Sequence, residues 1–172
     1  MEALGNVLDI AAAFAPVDGS TAAITGKRVS LRNAGHVSFV VNKGIGTAGD
    51  DPVFTLKQHT ASTGGTTANL AIIDHYYLKT ATTPGLLGSE TWTRVAQTAS
   101  ATITDPGGAG TSAESQQILV IEVDAQSLSD GYTHVSLDVA DVGTNAQLVS
   151  GLAIRSSLHV NRAPQNLSSS LA

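Results

Sequence analysis

The clearest pattern of hydrophobic and polar positions in the chain lies in residues 116–142, QQILVIEVDAQSLSDGYTHVSLDVADV. Hydrophobic side chains recur there at every second position, first in ILVIEV and again, after the polar turn SDG, in HVSLDV. A period of two residues is typical of a β-strand with one buried face. The segment therefore predicts a hairpin of two strands, in which Leu119, Ile121 and Val123 are core residues and Ile118 and Val120 face a second layer or a neighbouring molecule.

Short strands are also predicted along the rest of the chain, separated by links that are rich in Gly, Ser and Thr. We expect roughly eight to ten short strands and no long helix, which is the signature of an all-β sandwich or barrel. Long links alternate with tight ones, and this favours Greek-key or jelly-roll crossings over a simple meander. The other predicted strands are residues 28–31, 37–42, 53–59, 71–78, 91–96, 101–104 and 152–157. The first two of these are expected to form a hairpin through the turn NAG at residues 33–35.

The two ends of the chain are predicted to flank a β-sandwich domain at residues 19–160. Residues 1–18 are apolar and form either a first strand or short helix on the core, or an arm that lies on a neighbouring subunit. Residues 161–172 are polar and are expected to run as an extended tail. The candidate residues for contact with a partner come from both ends: Leu4, Val7, Leu8, Phe14, Asn161, Arg162, Pro164 and Leu167.

The composition narrows the classes of function. Only 13% of the 172 residues are charged, and the formal net charge is -5. A general nucleic-acid binder needs a basic stripe that neutralises phosphates, so no nucleic-acid partner is expected. The absence of cysteine excludes disulfides and thiolate metal sites. No apolar run approaches the roughly 20 residues of a membrane span. The apolar start has no basic residue before Lys27, so it lacks the positively charged region of a signal peptide and is not expected to direct export.

Two motifs that carry chemistry in other proteins stand here in an unsuitable context. Residues 44–49, GIGTAG, match the phosphate-binding loop G-x-G-x-x-G, but DDP follows them where that loop requires a helix N-terminus. Asp74 precedes His75, but neighbouring strand residues point to opposite faces, so this carboxylate is not expected to orient the imidazole. The five histidines stand on separate elements, without the close grouping of a zinc site.

The remaining candidates are interpreted as structural. Asp50 with Asp51, or Asp138 with Asp141, could contribute to a calcium site, but such a site needs about six to eight oxygens in a set geometry. Trp92 is expected to fill the core, because Thr91 and Thr93 alternate with it and stand on the opposite face of the predicted strand. No cluster supports a carbohydrate-stacking platform around it. We therefore predict no catalytic residue, no cofactor-binding residue and no metal ligand, and a protein that is not an enzyme.

A resemblance to a known family covers residues 15–157. It is carried by APVDGSTAAITGKRVSLRNAGHVSFVVNKGIGTAGDDPVFTLKQHT and, later, by QQILVIEVDAQSLSDGYTHVSLDVADVGTNAQLVSGLAIRSS. Its most specific parts are residues 28–41, 51–58 and 118–142. These stretches resemble the small virion structural proteins of tailed bacteriophages that decorate the head, also called cement proteins. The resemblance implies a jelly-roll-like antiparallel β-sandwich with extended terminal arms.

The resemblance also implies a function, although it carries over no individual contact residue. Such a protein binds the outside of the assembled capsid lattice, has the major capsid protein as its partner, and stabilises the head. It is commonly a symmetric homo-oligomer, with a trimer favoured and a dimer as the alternative. It would be assembled in the host bacterial cytoplasm and reside on the capsid exterior of the virion. Two other readings stay open: a β-domain of the tail or adsorption apparatus, and a carbohydrate-binding jelly-roll module.

Overall fold

The structure, a computed structural model, describes residues 3–81, 85–104 and 114–172. These residues form two antiparallel β-sheets with one hydrophobic core between them. The strands are β1 Leu8–Asp18, β2 Val29–Ser30, β3 Ala34–Lys43, β4 Val53–His59, β5 Thr67–Asn69, β6 Ile73–Thr80, β7 Thr93–Ser100, β8 Thr102–Thr104, β9 Gln117–Asp124, β10 His134–Val139 and β11 Leu148–Leu158. The predicted all-β, antiparallel fold class is therefore confirmed.

The larger sheet has six strands in the order β1-β11-β3-β9-β6-β7. Alternation decides which side chains it buries. Phe39 of β3 lies opposite Ile121 of β9, and Val41 lies opposite Leu119. These four side chains are at most 2% exposed. Because β3 and β9 are inner strands of the sheet, the middle of the core rests on them.

The smaller sheet has the order β2-β10-β4-β5, and β8 pairs with β4 beside β5. Its inner face buries Leu137 of β10 opposite Leu56 of β4. The outer positions His134 and Ser136 of β10 are buried as well. Other parts of the chain cover this outer face: the C-terminal tail approaches at Leu171, whose carbonyl lies 3.3 Å from His134 Nε2. The chain itself therefore covers the outside of the smaller sheet around His134.

The predicted hairpin of residues 116–142 is wrong in its pairing. Its two strands exist, as β9 and β10, but they belong to different sheets. A short 3-10 helix, Ala125–Ser127, begins the link that crosses from one sheet to the other. The predicted core residues Leu119, Ile121 and Val123 are confirmed, at 1–2% exposure, and Ile118 and Val120 lie half-buried on the other face. Alternation identified the buried face but not the partner strand.

A second predicted hairpin, between residues 28–31 and 37–42, also does not form. Strand β2 pairs with β10 in the smaller sheet, while β3 pairs with β11 and β9 in the larger one. Of the predicted turn at residues 33–35, Asn33 does lie in a turn, but the next two residues already begin β3. A Gly-containing break between two β-rich runs therefore marks a change of sheet here. Strand β5, Thr67–Asn69, lies outside the predicted strands.

The N-terminal strand is tied to the sandwich by a buried ion pair. Asp9 of β1 lies opposite Arg155 of β11 and accepts a hydrogen bond of 3.1 Å from Arg155 Nε, while Arg155 Nη2 contacts the same carboxylate oxygen. The Arg155 side chain is 4% exposed. The C-terminal tail contains a 3-10 helix, Pro164–Asn166, and reaches β2, where the Ser170 carbonyl accepts from the Ser30 amide at 2.8 Å. Within the described residues both ends of the chain thus pack on their own sandwich.

Candidate interaction surface

A row of side chains crosses the outer face of the larger sheet, and all but the last are apolar or aromatic. The register sets one residue of each strand side by side, in the order Ala12, Leu152, Val40, Val120, Tyr77 and Arg94. These residues point away from the core, since successive strand residues face opposite sides and the intervening Phe39 and Ile121 are buried. Leu152 is 46% exposed. We call these six residues the central row.

Two further rows flank the central row, and each carries one charge. On one side the register aligns Ile10, Ile154, Ser38 and Glu122. On the other side it aligns Ser150, Asn42, Ile118 and Lys79. We call the three rows together the outer face. A contiguous apolar patch with polar residues around it marks a surface that contacts another molecule.

Trp92 lies at the edge of this face, and its predicted place in the core is wrong. Its side chain is 50% exposed. Together with Tyr77, Val120 and Glu122 it lines a groove of about 300 Å³. The Lys79 ammonium sits 4.8 Å from the centroid of the Trp92 ring, a cation–π contact. Strand β7 begins at Thr93, so Trp92 precedes the regular alternation from which its burial was predicted.

The prediction that Asp74 does not orient His75 is also wrong. Their side chains form a contact of 2.6 Å between Asp74 Oδ1 and His75 Nδ1. The register of β6 against β7 shifts between Ile73 and His75, and this irregularity relaxes the strict alternation of faces. The hydrogen bond with His75 lowers the pKa of the Asp74 carboxyl. The His75 ring in turn meets Tyr77 edge-on, with centroids 5.5 Å apart, so the pair belongs to the surroundings of the outer face.

The two predicted partner-contact segments, far apart in sequence, meet in the structure. The Gly5 carbonyl accepts a hydrogen bond of 3.0 Å from the Arg162 amide. Leu4 and Val7 are 40% and 53% exposed, and Val160 is 50% exposed. We call residues 3–8 and 160–167 the terminal patch. Of its predicted residues, Leu4, Val7, Asn161, Arg162 and Pro164 are exposed, whereas Leu8 and Leu167 are half-buried.

Phe14 lies apart from the other predicted contact residues. Its side chain is 4% exposed and belongs to the core cluster. It packs against Gly151 of β11 so closely that a Cβ on that glycine would be 2.5 Å from Phe14 Cε1. Phe14 therefore anchors β1 to the sandwich instead of facing a partner.

A polar network that sequence reasoning missed lies on the covered side of the smaller sheet. His59 Nδ1 is 2.9 Å from Thr67 Oγ1, and its Nε2 is 2.9 Å from Ser136 Oγ. Ser136 Oγ donates to Asp138 Oδ1 at 3.2 Å, and Lys57 Nζ pairs with Asp138 Oδ2 at 2.8 Å. Since the Ser136 proton goes to Asp138, its oxygen accepts from Nε2–H, and Nδ1 then accepts from Thr67. The residues come from three strands whose register the sequence does not reveal.

This network has the residue types of a hydrolase triad but not its geometry. In a triad the histidine stands between serine and aspartate and takes the serine proton. Here Ser136 stands between His59 and Asp138 and donates to the carboxylate. Ser136 is also only 1% exposed, so a substrate does not reach its hydroxyl. The network therefore holds β4, β5 and β10 together.

The other sequence candidates are accounted for by protein contacts. Asp50 Oδ2 accepts from the Asn145 amide nitrogens, at 3.2 Å from the backbone and 2.8 Å from the side chain. Residues 44–49 lead into strand β4 and not into the helix that the phosphate-binding motif requires. In the part of the chain that the structure describes, no group of three or more His, Asp or Glu side chains could hold a metal ion.

Comparison with protein-family models, with curated proteins and with solved structures found no match to this chain. Among the described residues, no helix combines the length and the apolar character that crossing a membrane requires.

Proposed function

We propose that this chain is a virion structural protein that binds the outside of a phage capsid lattice and stabilises the head. The observation that carries the proposal is the amount of apolar surface that a well-packed sandwich leaves exposed, in the outer face and in the terminal patch. Surfaces of this kind are used for contact with other macromolecules. The resemblance of residues 15–157 to head decoration proteins supplies the kind of partner, the major capsid protein.

We assign capsid contact to the terminal patch. Leu4, Val7 and Val160 supply exposed apolar area, and Arg162 adds an exposed cation beside them. Backbone hydrogen bonds hold this patch in place, among them those between the Gly5 amide and the Leu8 carbonyl and between the Arg162 amide and the Gly5 carbonyl. A surface that is already ordered loses little conformational entropy on binding, which leaves more of the contact energy for affinity.

Binding of this kind stabilises a shell without catalysis. A ligand that binds the assembled lattice and not the separated subunits shifts the equilibrium towards assembly by mass action. Many copies on one shell act together, so a modest affinity at each site is sufficient. The expected effect is resistance of the head to the outward pressure of packaged DNA.

The test uses purified protein and expanded capsids that lack it. We expect the protein to co-sediment with these shells, to appear on their outer surface by electron microscopy, and to raise their disruption temperature. A protein that leaves the shells bare at saturating concentration would overturn the proposal. Label found on the tail of intact virions would favour the tail or adsorption-apparatus reading instead.

One observation favours a second candidate, a carbohydrate-binding module. Trp92 and Tyr77 line the 300 Å³ groove together with the Glu122 carboxylate. An exposed aromatic ring stacks on the apolar face of a sugar, and a carboxylate accepts hydrogen bonds from its hydroxyls. A glycan array checks this reading, with Trp92→Ala as the matched variant. An array without any hit, or hits that Trp92→Ala leaves unchanged, would dispose of it.

A further inference from the structure

We infer that the outer face joins two copies of this chain in a face-to-face dimer, with its two-fold axis along the central row. The inference goes beyond capsid binding, since it concerns how the protein associates with itself. A two-fold interface uses the same patch on both subunits, so that patch must complement itself. The apolar residues and the charges of the outer face meet this condition. The sheet is also large enough for a stable interface.

The apolar residues lie where a two-fold axis would place them. A residue on such an axis meets its own copy, so apolar residues are favoured there and like charges are not. The central row carries Leu152, Val40, Val120 and Tyr77 across four adjacent strands. Arg94 is the exception, and it stands on the edge strand β7. Because two twisted sheets packed face to face diverge at their corners, an edge position lies at the rim of the contact and stays solvated.

The charges lie on opposite sides of that axis. Glu122 belongs to the row on one side, on β9, and Lys79 to the row on the other side, on the adjacent strand β6. A two-fold rotation about the central row exchanges the two flanking rows. Glu122 of one copy is then brought over the row that holds Lys79 of the other, one strand spacing of about 4.8 Å to the side. The two-fold axis produces this contact a second time with the two copies interchanged, so the dimer contains two opposite-charge contacts.

The larger sheet, on which the outer face lies, has enough surface for a stable dimer. Six strands at about 4.8 Å spacing are about 24 Å wide, and eight-residue strands at about 3.4 Å per residue are about 27 Å long. The flat footprint is therefore roughly 650 Å², and the rough molecular surface over it has a larger accessible area. Stable interfaces bury about 800 Å² on each partner. Two sheets packed face to face keep their strands within about 30° of each other, and the two-fold axis proposed here produces that arrangement. The rows thus favour a dimer over the trimer that the resemblance suggests.

The test is a charge exchange read by sedimentation equilibrium over a range of concentrations. We expect a dimer for the natural sequence, and dissociation constants at least about tenfold weaker for Glu122→Lys and for Lys79→Glu, since each places like charges together. The double variant restores opposite charges and should return to within about threefold of the natural constant. Leu152→Asp sets two carboxylates against each other on the axis and should abolish the dimer. Circular dichroism checks that each variant is folded.

The chain provides its own reporter and its own control. Trp92 is the only tryptophan, so its emission should shift to longer wavelength on dilution, in step with dissociation. The matched control is Asp130→Lys, an exposed charge reversal in the link before β10, and it should leave the dimer unchanged. A monomer at every concentration, another oligomer, or a double variant that stays dissociated would overturn the inference. A dimer that leaves capsids bare would instead contradict only the proposed function.

Discussion

His134 and His59 lie opposite each other in the register of β10 and β4, and both imidazoles are buried, at 1% and 4% exposure. Burial disfavours the charged imidazolium. It lowers the pKa of His59 to about 4, with the nearby Arg28 guanidinium as a further cause, and it lowers the pKa of His134 as well. The sandwich therefore disfavours protonation of these two histidines in mild acid. In the unfolded chain the same histidines begin to take up protons there.

This pair predicts a loss of stability in mild acid. An unfolded histidine titrates near 6.5, so between about pH 6.5 and pH 4 the unfolded chain binds more protons than the folded one. The free energy of unfolding should fall as the pH is lowered through this window, by on the order of 2–3 kcal/mol for His59 alone. Urea unfolding at several pH values between 7 and 4 measures this change in the free energy of unfolding.

The variant His59→Asn separates this cause from general acid denaturation. It should lower stability at pH 7, because the hydrogen bonds to Thr67 and Ser136 are weakened, but its dependence on pH should be flatter. The exposed His159 supplies the matched control, since His159→Asn should keep the natural pH profile. Parallel profiles for all three proteins would show that His59 is not the group responsible.

The buried ion pair between Asp9 and Arg155 predicts a large effect from a single substitution. Asp9→Ala leaves the Arg155 guanidinium buried without its carboxylate, and we expect a loss of about 3 kcal/mol in the free energy of unfolding. The double variant Asp9→Leu with Arg155→Met removes both charges and should recover most of that loss. Equilibrium denaturation of the single variants Asp9→Leu and Arg155→Met and of the double variant gives the coupling. A double variant as unstable as the sum of the single variants would contradict this account.

Much of the local structure could be predicted because alternation is a local property. Strand β4 has the predicted bounds, Val53–His59, and the core-facing sides of β9 and β10 follow directly from their sequences. The burial of the other side of β10 does not follow, since it depends on segments distant in sequence. The pairing of strands could not be predicted, since it depends on contacts between residues distant in sequence. Both predicted hairpins failed for this reason: a turn sequence shows that the chain changes direction, but not which sheet it enters.

The candidate surfaces were harder to predict than the strands. Val40 and Val120 look like ordinary strand residues in the sequence, and only the register of four strands sets them in one row with Leu152 and Tyr77. Likewise, the irregular register of β6 brings Asp74 to His75 against the simple rule of alternating faces. The contact of Gly5 with Arg162 joins segments more than 150 residues apart, so no local sequence pattern predicts that the two segments form one patch.

The close approach of Phe14 to Gly151 predicts that this glycine cannot be replaced without cost. In Gly151→Ala the new Cβ would lie 2.5 Å from the Phe14 ring, so the ring or the strand must shift. Overpacking of this kind costs about 1–3 kcal/mol. Phe14→Leu should reduce the added cost of Gly151→Ala by about 1 kcal/mol, since the shorter side chain makes room. Thermal denaturation of both single variants and the double variant tests this, and purely additive effects would count against it.

The terminal patch provides the last prediction, which concerns capsid binding. Val7 is 53% exposed, so Val7→Asp should not disturb the core, but it would bury a carboxylate in the proposed contact. Affinity for expanded capsids should fall by about tenfold or more, because such a change costs more than about 1.4 kcal/mol. Co-sedimentation with shells over a range of protein concentrations measures the affinity.

Ile45 supplies the matched control for this experiment. It is 46% exposed and follows the Lys43 end of β3, whereas the terminal patch lies towards the His36 end, where Leu8, Ser156 and His36 are aligned. Ile45→Asp makes the same change in charge and polarity at the opposite end of the sheet and should keep full affinity. Equal losses for the two variants would indicate a general effect of charge on binding. Full affinity for Val7→Asp would move the capsid contact away from the terminal patch, and sedimentation of the free variant would show that its dimer, held by the separate outer face, is intact.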